Sequence, residues 1–402
     1  MKRVVITGCG TINPLGRNVE ETWKSLAEGK DGISKMDIPN IERLSIKNGG
    51  QVKIKSIVDS LPKNFNTNAD KVTLLSLIAS IEAVNSSGIN FEQPLNESSA
   101  VILGTAGGGL TTQDENFKKV YEQKRNRVHP LTVPRLMHSA SASAISIENN
   151  ITGPTFTVST ACASSNHAIG QAFALIRSGQ IVTAVTGGAD SMLCFGGLKA
   201  WEGLRIMTTD KCRPFCATRD GMIQSEGATV FILEELDHAL SRNADIYAEL
   251  VGYSMNSDAF DIMNPSPKGL VRAMELALTD AKLDPESIGY INAHGTGTYV
   301  NDKIESLAIN KVFKGKCLKP FVSSTKSMHG HLIGGSGAIE LLSCILALKK
   351  GILAPTINFE KEDPLCAINL VKNNSVEAKV TNVMSNSFAF GGLNAVLVLR
   401  SF

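Results

Sequence analysis

Cys162 stands in the run Val158-Ser159-Thr160-Ala161-Cys162-Ala163-Ser164-Ser165, between an apolar segment and a stretch of small residues. At the start of a helix, a cysteine meets unpaired backbone N–H groups and the positive end of the helix dipole, which favour a thiolate. Small neighbours leave the sulfur reachable, so Cys162 is a candidate nucleophile. The alternative is an inert core thiol, since cysteine is among the most buried residue types. A second cluster, Asn292-Ala293-His294-Gly295-Thr296-Gly297-Thr298, sets a histidine where an apolar run passes into a glycine-rich loop. A loop-capping histidine is the competing reading. A third, Ser324 to Gly337, holds Lys326, His329 and His331 within six residues, and a fourth, Ser385 to Asn394, mixes phenylalanine and glycine as a flap beside an apolar pocket would.

One chemistry uses all four clusters. A thiolate takes an acyl group from a thioester. Decarboxylation of a second thioester then makes a carbanion, and neutral imidazoles stabilise the charge that develops on its carbonyl oxygen. The carbanion attacks the acyl-cysteine and a carbon–carbon bond forms. Loss of carbon dioxide creates the carbanion, so no acidic general base is needed. Zinc is set aside, because no further carboxylate or thiolate has ligand spacing beside the histidines. Neither the GHLIGGSG run nor Thr7-Gly8-Cys9-Gly10 has the arrangement of a nucleotide-binding loop.

These residues need a scaffold that brings strand ends together. Strands are predicted at Val4–Thr7, Ala100–Gly104, Phe156–Thr160, Ile181–Gly187, Thr229–Leu233 and Ala248–Ser254, then at Ile288–Ala293, Phe321–Ser324, Asn382–Ser387 and Asn394–Leu399. Helices are expected over Val19–Gly29, Lys71–Ser87, Ala163–Ser178, Lys268–Ala281, Asp302–Phe313 and Gly337–Lys349. Residues 30–70 read as an excursion from the core, and the run GTAGGGLTTQ as mobile. Alternation of the two element types means α/β. It runs through two rounds, which suggests an internal duplication with its seam near residues 235–260.

Composition bounds the rest. With 402 residues the chain can bury a large core, and 35 glycines suit close backbone packing. A formal charge of +2 gives no argument for nucleic acid. The eight cysteines lack short metal-type spacings and read as reduced thiols in a cytoplasmic protein. No apolar run is long enough to span a membrane, and MKRVVITGCG fits a strand and turn better than a signal peptide.

TACASS, NAHGTGT with NDKIE, TKSMHGHLIGGSG and NSFAFGGLN, in this order, resemble the β-ketoacyl-acyl carrier protein synthases, specifically the elongating branch with a Cys-His-His triad. The resemblance runs from VVITG to FAFGGLNAVLVL. It implies a thiolase-like fold with a duplicated, five-layered α-β-α-β-α architecture, divided into an N-terminal half, 1–245, and a C-terminal half, 246–402. It implies Cys162 as the acylated nucleophile, His294 and His331 as the paired histidines, and Lys326 as a supporting lysine with Glu305 as its acidic partner. Phe390 matches a gating phenylalanine, and the N–H groups of Cys162 and Phe390 match an oxyanion hole. Thr296 and Thr298 match a pantetheine channel that Phe388 and Ala389 adjoin. No cofactor is implied, because substrates ride on the phosphopantetheine of acyl carrier protein. The family implies a homodimer, with Val133–Ser141 near the tunnel of the partner; some relatives form heterodimers with a related subunit. Neither nucleic acid nor membrane is implied as a partner.

Departures from the family pattern matter too. Ala389 replaces a glycine and restricts the backbone, and His329 replaces a threonine. Gly107 stands where a bulky residue is common and is expected to open one end of the acyl pocket, while Trp201 reshapes another part. The Thr208–Phe215 loop is short. These features hint at a specialised polyketide, aryl-polyene or nodulation-type enzyme. Rival readings are a thiolase using Cys366 as second catalytic cysteine, a non-catalytic chain-length subunit, and a carrier-protein-binding module. Lys63, Lys71, Lys118 and Lys119 are candidates for docking an acidic carrier protein.

Overall fold

The computed structural model describes residues 1–54, 61, 65, 68–314 and 320–402. Lys63 lies outside the described residues.

Ten strands form one hydrogen-bonded mixed sheet: β1 (Val4–Ile12), β2 (Ser99–Gly104), β3 (Thr155–Val158), β4 (Thr183–Asp190), β5 (Gly227–Glu235), β6 (Ala248–Ser257), β7 (Tyr290–Asn292), β8 (Phe321–Ser323), β9 (Asn382–Ala389) and β10 (Leu393–Arg400). Their spatial order is β8-β7-β9-β10-β6-β1-β5-β4-β2-β3. The first half reads β3-β2-β4-β5-β1 and the second β8-β7-β9-β10-β6, which is one topology used twice. The directions repeat as well. β2 runs parallel to β3 and β4, as β7 does to β8 and β9. The β4–β5 and β5–β1 pairs are antiparallel, as are β9–β10 and β10–β6. Antiparallel pairing of β1 with β6 joins the halves.

The helices complete the layers. The principal ones are α1 (Val19–Glu28), α2 (Lys71–Ser87), α3 (Leu110–Tyr121), α4 (Ala140–Glu148), α5 (Ser164–Arg177), α6 (Phe195–Gly203), α7 (Pro267–Ala281), α8 (Tyr299–Val312) and α9 (Ser336–Lys350). Ala168, Ala172 and Phe173 of α5 share a core with Leu341 and Ile345 of α9, Ile102 of β2 and Val383 of β9. These two helices therefore fill the middle layer between the half-sheets. Leu75 and Ala79 of α2 with Ile145 of α4 cover the other face of the first half. Leu270 and Met274 of α7 with Ile309 of α8 do the same for the second. The order is α-β-α-β-α.

Local chemistry sets the boundaries. Asp70 caps α2 by accepting from Val72 N, and Gly88 closes it in the left-handed region at φ 62°. The run expected to be mobile instead enters α3, whose few buried residues, Thr112 and Asn116, are polar and give no apolar period to read. Helices α4 and α6 escape the sequence pattern for related reasons: small serines and alanines build one, and glycines interrupt the other.

Candidate active site

Cys162, His294 and His331 each come from the chain just beyond the C-terminal end of a parallel strand, the edge at which α/β sheets collect functional groups. Cys162 follows β3 in a 3₁₀ turn, Ala161–Ala163, that feeds α5. Ala161 takes φ 48°, a left-handed angle uncommon for a residue with a Cβ, and so turns the chain sharply enough to aim the next side chain inward. Gly104 at the end of β2 makes this possible, since a Cβ there would lie 2.3 Å from the carbonyl carbon of Ser164. His294 follows β7, and His331 follows the Lys326–His329 turn after β8. The His331 backbone is pinned by donation from its N–H to Ile223 O (2.7 Å) and from Ser225 N–H to its carbonyl (2.9 Å).

The Cys162 sulfur and one nitrogen of each of His294 and His331 lie within 4.8 Å of one another. The two imidazoles meet edge to face at 5.5 Å. All three residues line a cavity of about 300 Å³ with Thr296, Thr298, Trp201, Phe388, Ala389 and Phe390.

Hydrogen bonds define the ring tautomers. His331 Nδ1 accepts from Ile333 N–H at 3.0 Å, so its proton resides on Nε2. Ser336 Oγ, at 2.8 Å, adds a second contact to the same nitrogen. His294 Nδ1 faces the Lys326 ammonium at 3.4 Å and accepts there too. Both rings therefore turn an Nε2–H, not a lone pair, towards the cavity. That donor set suits a developing oxyanion and does not suit a metal ion, which would need those protons gone. Burial, then the Lys326 charge, hold both histidines well below their usual range, so they are neutral at pH 7.

Burial pushes the Cys162 thiol up to about 12, with Lys326 pulling the other way and Asp190 and Glu340 reinforcing the rise. The helix-terminus position does not yield a resting thiolate: loss of solvent outweighs it. The nucleophile waits as a thiol.

Lys326 is wholly buried. Its ammonium pairs with Glu340 and donates to the His294 carbonyl at 2.6 Å. The acidic partner is thus Glu340, not Glu305. The Glu305 carboxylate is close enough to feel the lysine, but its oxygens accept from His294 N (2.8 Å) and Gly295 N (2.7 Å) and shape the histidine loop. Burial raises Glu305 to about 7. His329 has both nitrogens engaged away from the cavity, with Gly330 O at 2.7 Å and Thr325 Oγ1 at 3.0 Å. Thr296 and Thr298 hydrogen-bond to each other through their hydroxyls at 2.8 Å.

The flap is the β9–β10 hairpin turn. Ala389 pairs with Leu393, and its φ of −111° is ordinary extended backbone, comfortable for alanine. Positive φ falls on Gly391 (78°) and Gly392 (69°). Phe390 stacks on Trp201 at 6.2 Å and 24°. The turn is tied to the Asp258–Pro265 segment: Gly391 N–H donates to Ile262 O at 2.9 Å, and Asp258 N–H to Gly392 O at 2.8 Å.

Gly107 does not open the pocket. A Cβ there would lie 2.8 Å from Met192 Cγ and 2.9 Å from its sulfur, so Met192 already fills the space. Sequence reasoning missed Met192, and it missed Asp190. The Asp190 carboxylate accepts from Thr105 Oγ1, Ala106 N, Gly107 N and Gly334 N, stitching the β2 turn to the His331 loop. Neither has a sequence signal, because their partners are distant in the chain. Glu340 had one, as a lone carboxylate in an apolar helix. Cys366 packs with the outer core of the second half, its sulfur 3.8 Å from Asp363 Oδ2, and is not among the residues lining the cavity. This removes the sequence basis for a thiolase. Lys71 is ion-paired with Glu226, which takes it out of the docking set, whereas Lys118 and Lys119 are half-exposed in the last turn of α3.

Residues 1–239 match the family described as Beta-ketoacyl synthase, N-terminal domain, and residues 247–360 match Beta-ketoacyl synthase, C-terminal domain. The chain belongs to the beta-ketoacyl synthase family. This ketosynthase is 38% identical over 400 residues to nodulation protein E of Rhizobium leguminosarum bv. trifolii, covering 99% of each chain. It is 36% identical over 408 residues to 3-oxoacyl-[acyl-carrier-protein] synthase 2 of Staphylococcus aureus (strain COL), covering 100% of this chain and 99% of the other. Among solved structures, the ishigamide ketosynthase/chain length factor superposes with a TM-score of 0.95 at 32% identity, over 100% of this chain and 99% of that one. Membership makes the protein a condensing enzyme that forms a carbon–carbon bond by Claisen condensation. No helix among the described residues is long and apolar enough to cross a membrane.

Proposed function

We propose that the ketosynthase joins an acyl chain carried on Cys162 to malonyl-acyl carrier protein, giving β-ketoacyl-acyl carrier protein and carbon dioxide. The convergence of one thiol and two N–H-bearing imidazoles in a single cavity carries this reading. In the first half-reaction the Cys162 sulfur attacks the acyl thioester. The backbone N–H groups of Cys162 and Phe390 receive the carbonyl oxygen, and the carrier's thiol departs. One thiol is consumed and one released, so the step needs no net proton, which suits a nucleophile kept neutral by burial. In the second, the malonyl carboxylate leaves as carbon dioxide. Its electron pair becomes an enolate whose oxygen accepts from the Nε2–H of His294 and His331. The enolate carbon attacks the acyl-cysteine, the carbon–sulfur bond breaks, and the cysteine sulfur takes up a proton.

Lys326 is assigned a positioning role, since it holds the His294 tautomer, and Glu340 and Glu305 hold the lysine and the histidine loop. Phe390 acts as the gate, and Thr296 and Thr298 line the pantetheine channel. Residues 1–245 and 246–402 form the two halves, a division supported by the repeated topology. Acyl carrier protein is the partner that delivers both substrates. Exposed apolar side chains at Leu131, Val133, Met137 and Phe156 favour a dimer, whether with a second copy or a related subunit, near the edge strand β3. The cytoplasm is the compartment, in keeping with seven free cysteines among the described residues. The relation to nodulation and ishigamide proteins supports a second reading, a specialised subunit acting on unusual chains. Intact-protein mass spectrometry after incubation with saturated, polyene and aryl-polyene acyl carrier proteins tests both. Loading of saturated chains on Cys162, followed by elongation from malonyl-acyl carrier protein, fits fatty-acid synthesis; selectivity for conjugated chains fits the specialised reading. No loading from any carrier defeats both.

A further inference from the structure

Helix α8 begins directly after Thr298, and its first two residues, Tyr299 and Val300, line the catalytic cavity. Both are also open to solvent, Tyr299 at 58%, which puts them at the mouth of that cavity. Tyr299 is exposed yet held. The buried Arg219 guanidinium lies 4.9 Å from the centre of its ring and donates to its carbonyl at 3.2 Å, while Asp363 accepts from the same guanidinium at 2.5 Å. From Val300 onward the outer face of α8 carries Lys303, Leu307 and Lys311, spaced so that they fall on one side of a helix, and Lys314 continues the stripe in the turn beyond. Lys303, Lys311 and Lys314 have no ion-pair or hydrogen-bond partner among the described residues. The acids of the helix, Asp302 and Glu305, are buried and occupied: they accept from the N–H groups of Phe215 and Gly297, and of His294 and Gly295. The stripe is therefore apolar and purely basic over about 20 Å.

We infer that this face of α8 is the dock for acyl carrier protein, with Tyr299 as its apolar anchor and Lys303, Lys311 and Lys314 as its guiding charges. The inference rests on the function proposed above.

Charge and position select the occupant. A second copy of the chain would set like charges against each other, because across a two-fold axis the same patch meets itself. The partner is therefore acidic, and it has to present its cargo at the cavity mouth. Acyl carrier protein meets both conditions, since it is acidic and its acyl-phosphopantetheine enters where α8 begins. Lys118 of α3, a competing site, lines a cavity together with Asp114, Glu115 and Glu122, which offset its charge. A tyrosine fixed before binding gives up little freedom on contact, which suits it to anchor an interface.

The test measures initial rates of Cys162 loading, by intact-protein mass spectrometry, from two donors of the same acyl group: acyl carrier protein, and acyl-pantetheine, which has no protein to dock. The double variant Lys303→Glu/Lys311→Glu turns two attractions into repulsions at positions open to solvent. At low salt it should raise the KM for acyl carrier protein by about tenfold, and the effect should fade as salt screens the charges. Loading from acyl-pantetheine should stay as in the wild type. The pair Lys303→Ala/Lys311→Ala removes the attraction alone and should give about a threefold rise. Tyr299→Ala should raise the same KM by about tenfold, and Tyr299→Phe, which keeps the ring, should not. An unchanged KM for acyl carrier protein in the double reversal, with acyl-pantetheine loading normal, overturns the assignment and leaves the ketosynthase reading standing. A KM that rises instead in Lys118→Glu/Lys119→Glu moves the dock to α3 and overturns it as well. A double reversal that alters only the sedimentation coefficient gives the face to a second copy. Equal losses with both donors show that the lysines act through the fold and not through docking. No loading of the wild type from either donor overturns both readings.

Discussion

Replacing Lys326 by methionine separates the two tasks of this lysine. Its ammonium is fully buried, neutralises Glu340, and holds His294 through both the backbone carbonyl and Nδ1. Removing one member of a buried pair leaves the other charge desolvated, at a cost of about 3–5 kcal/mol. The second oxygen of Glu340, Oε2, has no hydrogen-bond partner among the described residues, so none of them takes over from the lysine. Lys326→Met should therefore lower the urea midpoint sharply at unchanged denaturant slope. Adding Glu340→Leu removes the stranded carboxylate. Apolar replacement of a buried pair is often neutral, so the double variant should regain most of that stability. Activity should not return with it. Without the ammonium, nothing obliges His294 to keep its proton on Nε2, and loss of one oxyanion donor costs about 10²–10³ in turnover. The assay is carbon dioxide release from malonyl-acyl carrier protein, beside urea unfolding of the same samples. Recovery of decarboxylation in the double variant would refute the tautomer argument and reduce Lys326 to a structural ion pair.

Cys162→Ala should abolish acyl transfer while malonyl decarboxylation remains measurable, because the imidazole donors are untouched; equal loss of both in a folded variant would speak against separate roles. His294 and His331 are held well below 6.5, so neither ring should give decarboxylation an acid limb at its ordinary value, and a limb centred near 6.5 that persists in Glu305→Gln, which removes the carboxyl group raised to about 7 beside the His294 loop, would contradict neutral donors. The same depression makes the stability contribution of these two histidines one that is present above about pH 6.5 and lost as pH falls through the lowered folded values, so replacing either by glutamine should flatten the acid side of the stability profile. Asp190→Asn turns an amide NH₂ towards donors that now meet a carboxylate and leaves at least one of them unmatched, at about 1–3 kcal/mol; an unchanged urea midpoint would show that the stitch between the β2 turn and the His331 loop carries no stability.

Much of the site is legible in the sequence because its groups travel in short segments. Cys162, His294 and His331 each follow a strand, and a strand-to-loop transition can be read from local pattern alone. The same locality fails where a partner is far away. The family pattern puts Glu305 beside Lys326, yet Glu305 braces the His294 loop, while Glu340 on α9 takes the ion pair. A glycine at 107 suggests a void, which Met192, 85 residues on, fills. A helix terminus should acidify the Cys162 thiol, and burial reverses the sign.

By itself the sequence determined the alternation of strands and helices, the two rounds of it, and which side chains stand at the strand ends, since each depends on residues within a few positions of one another. Tertiary structure decided the rest. The pairing of β1 with β6 joined the two rounds into one sheet. Packing of α5 against α9 brought a cysteine from the first round to histidines of the second. Burial at that meeting point set their protonation, because the free energy of a charge depends on all the solvent a fold removes, which no local run of residues records.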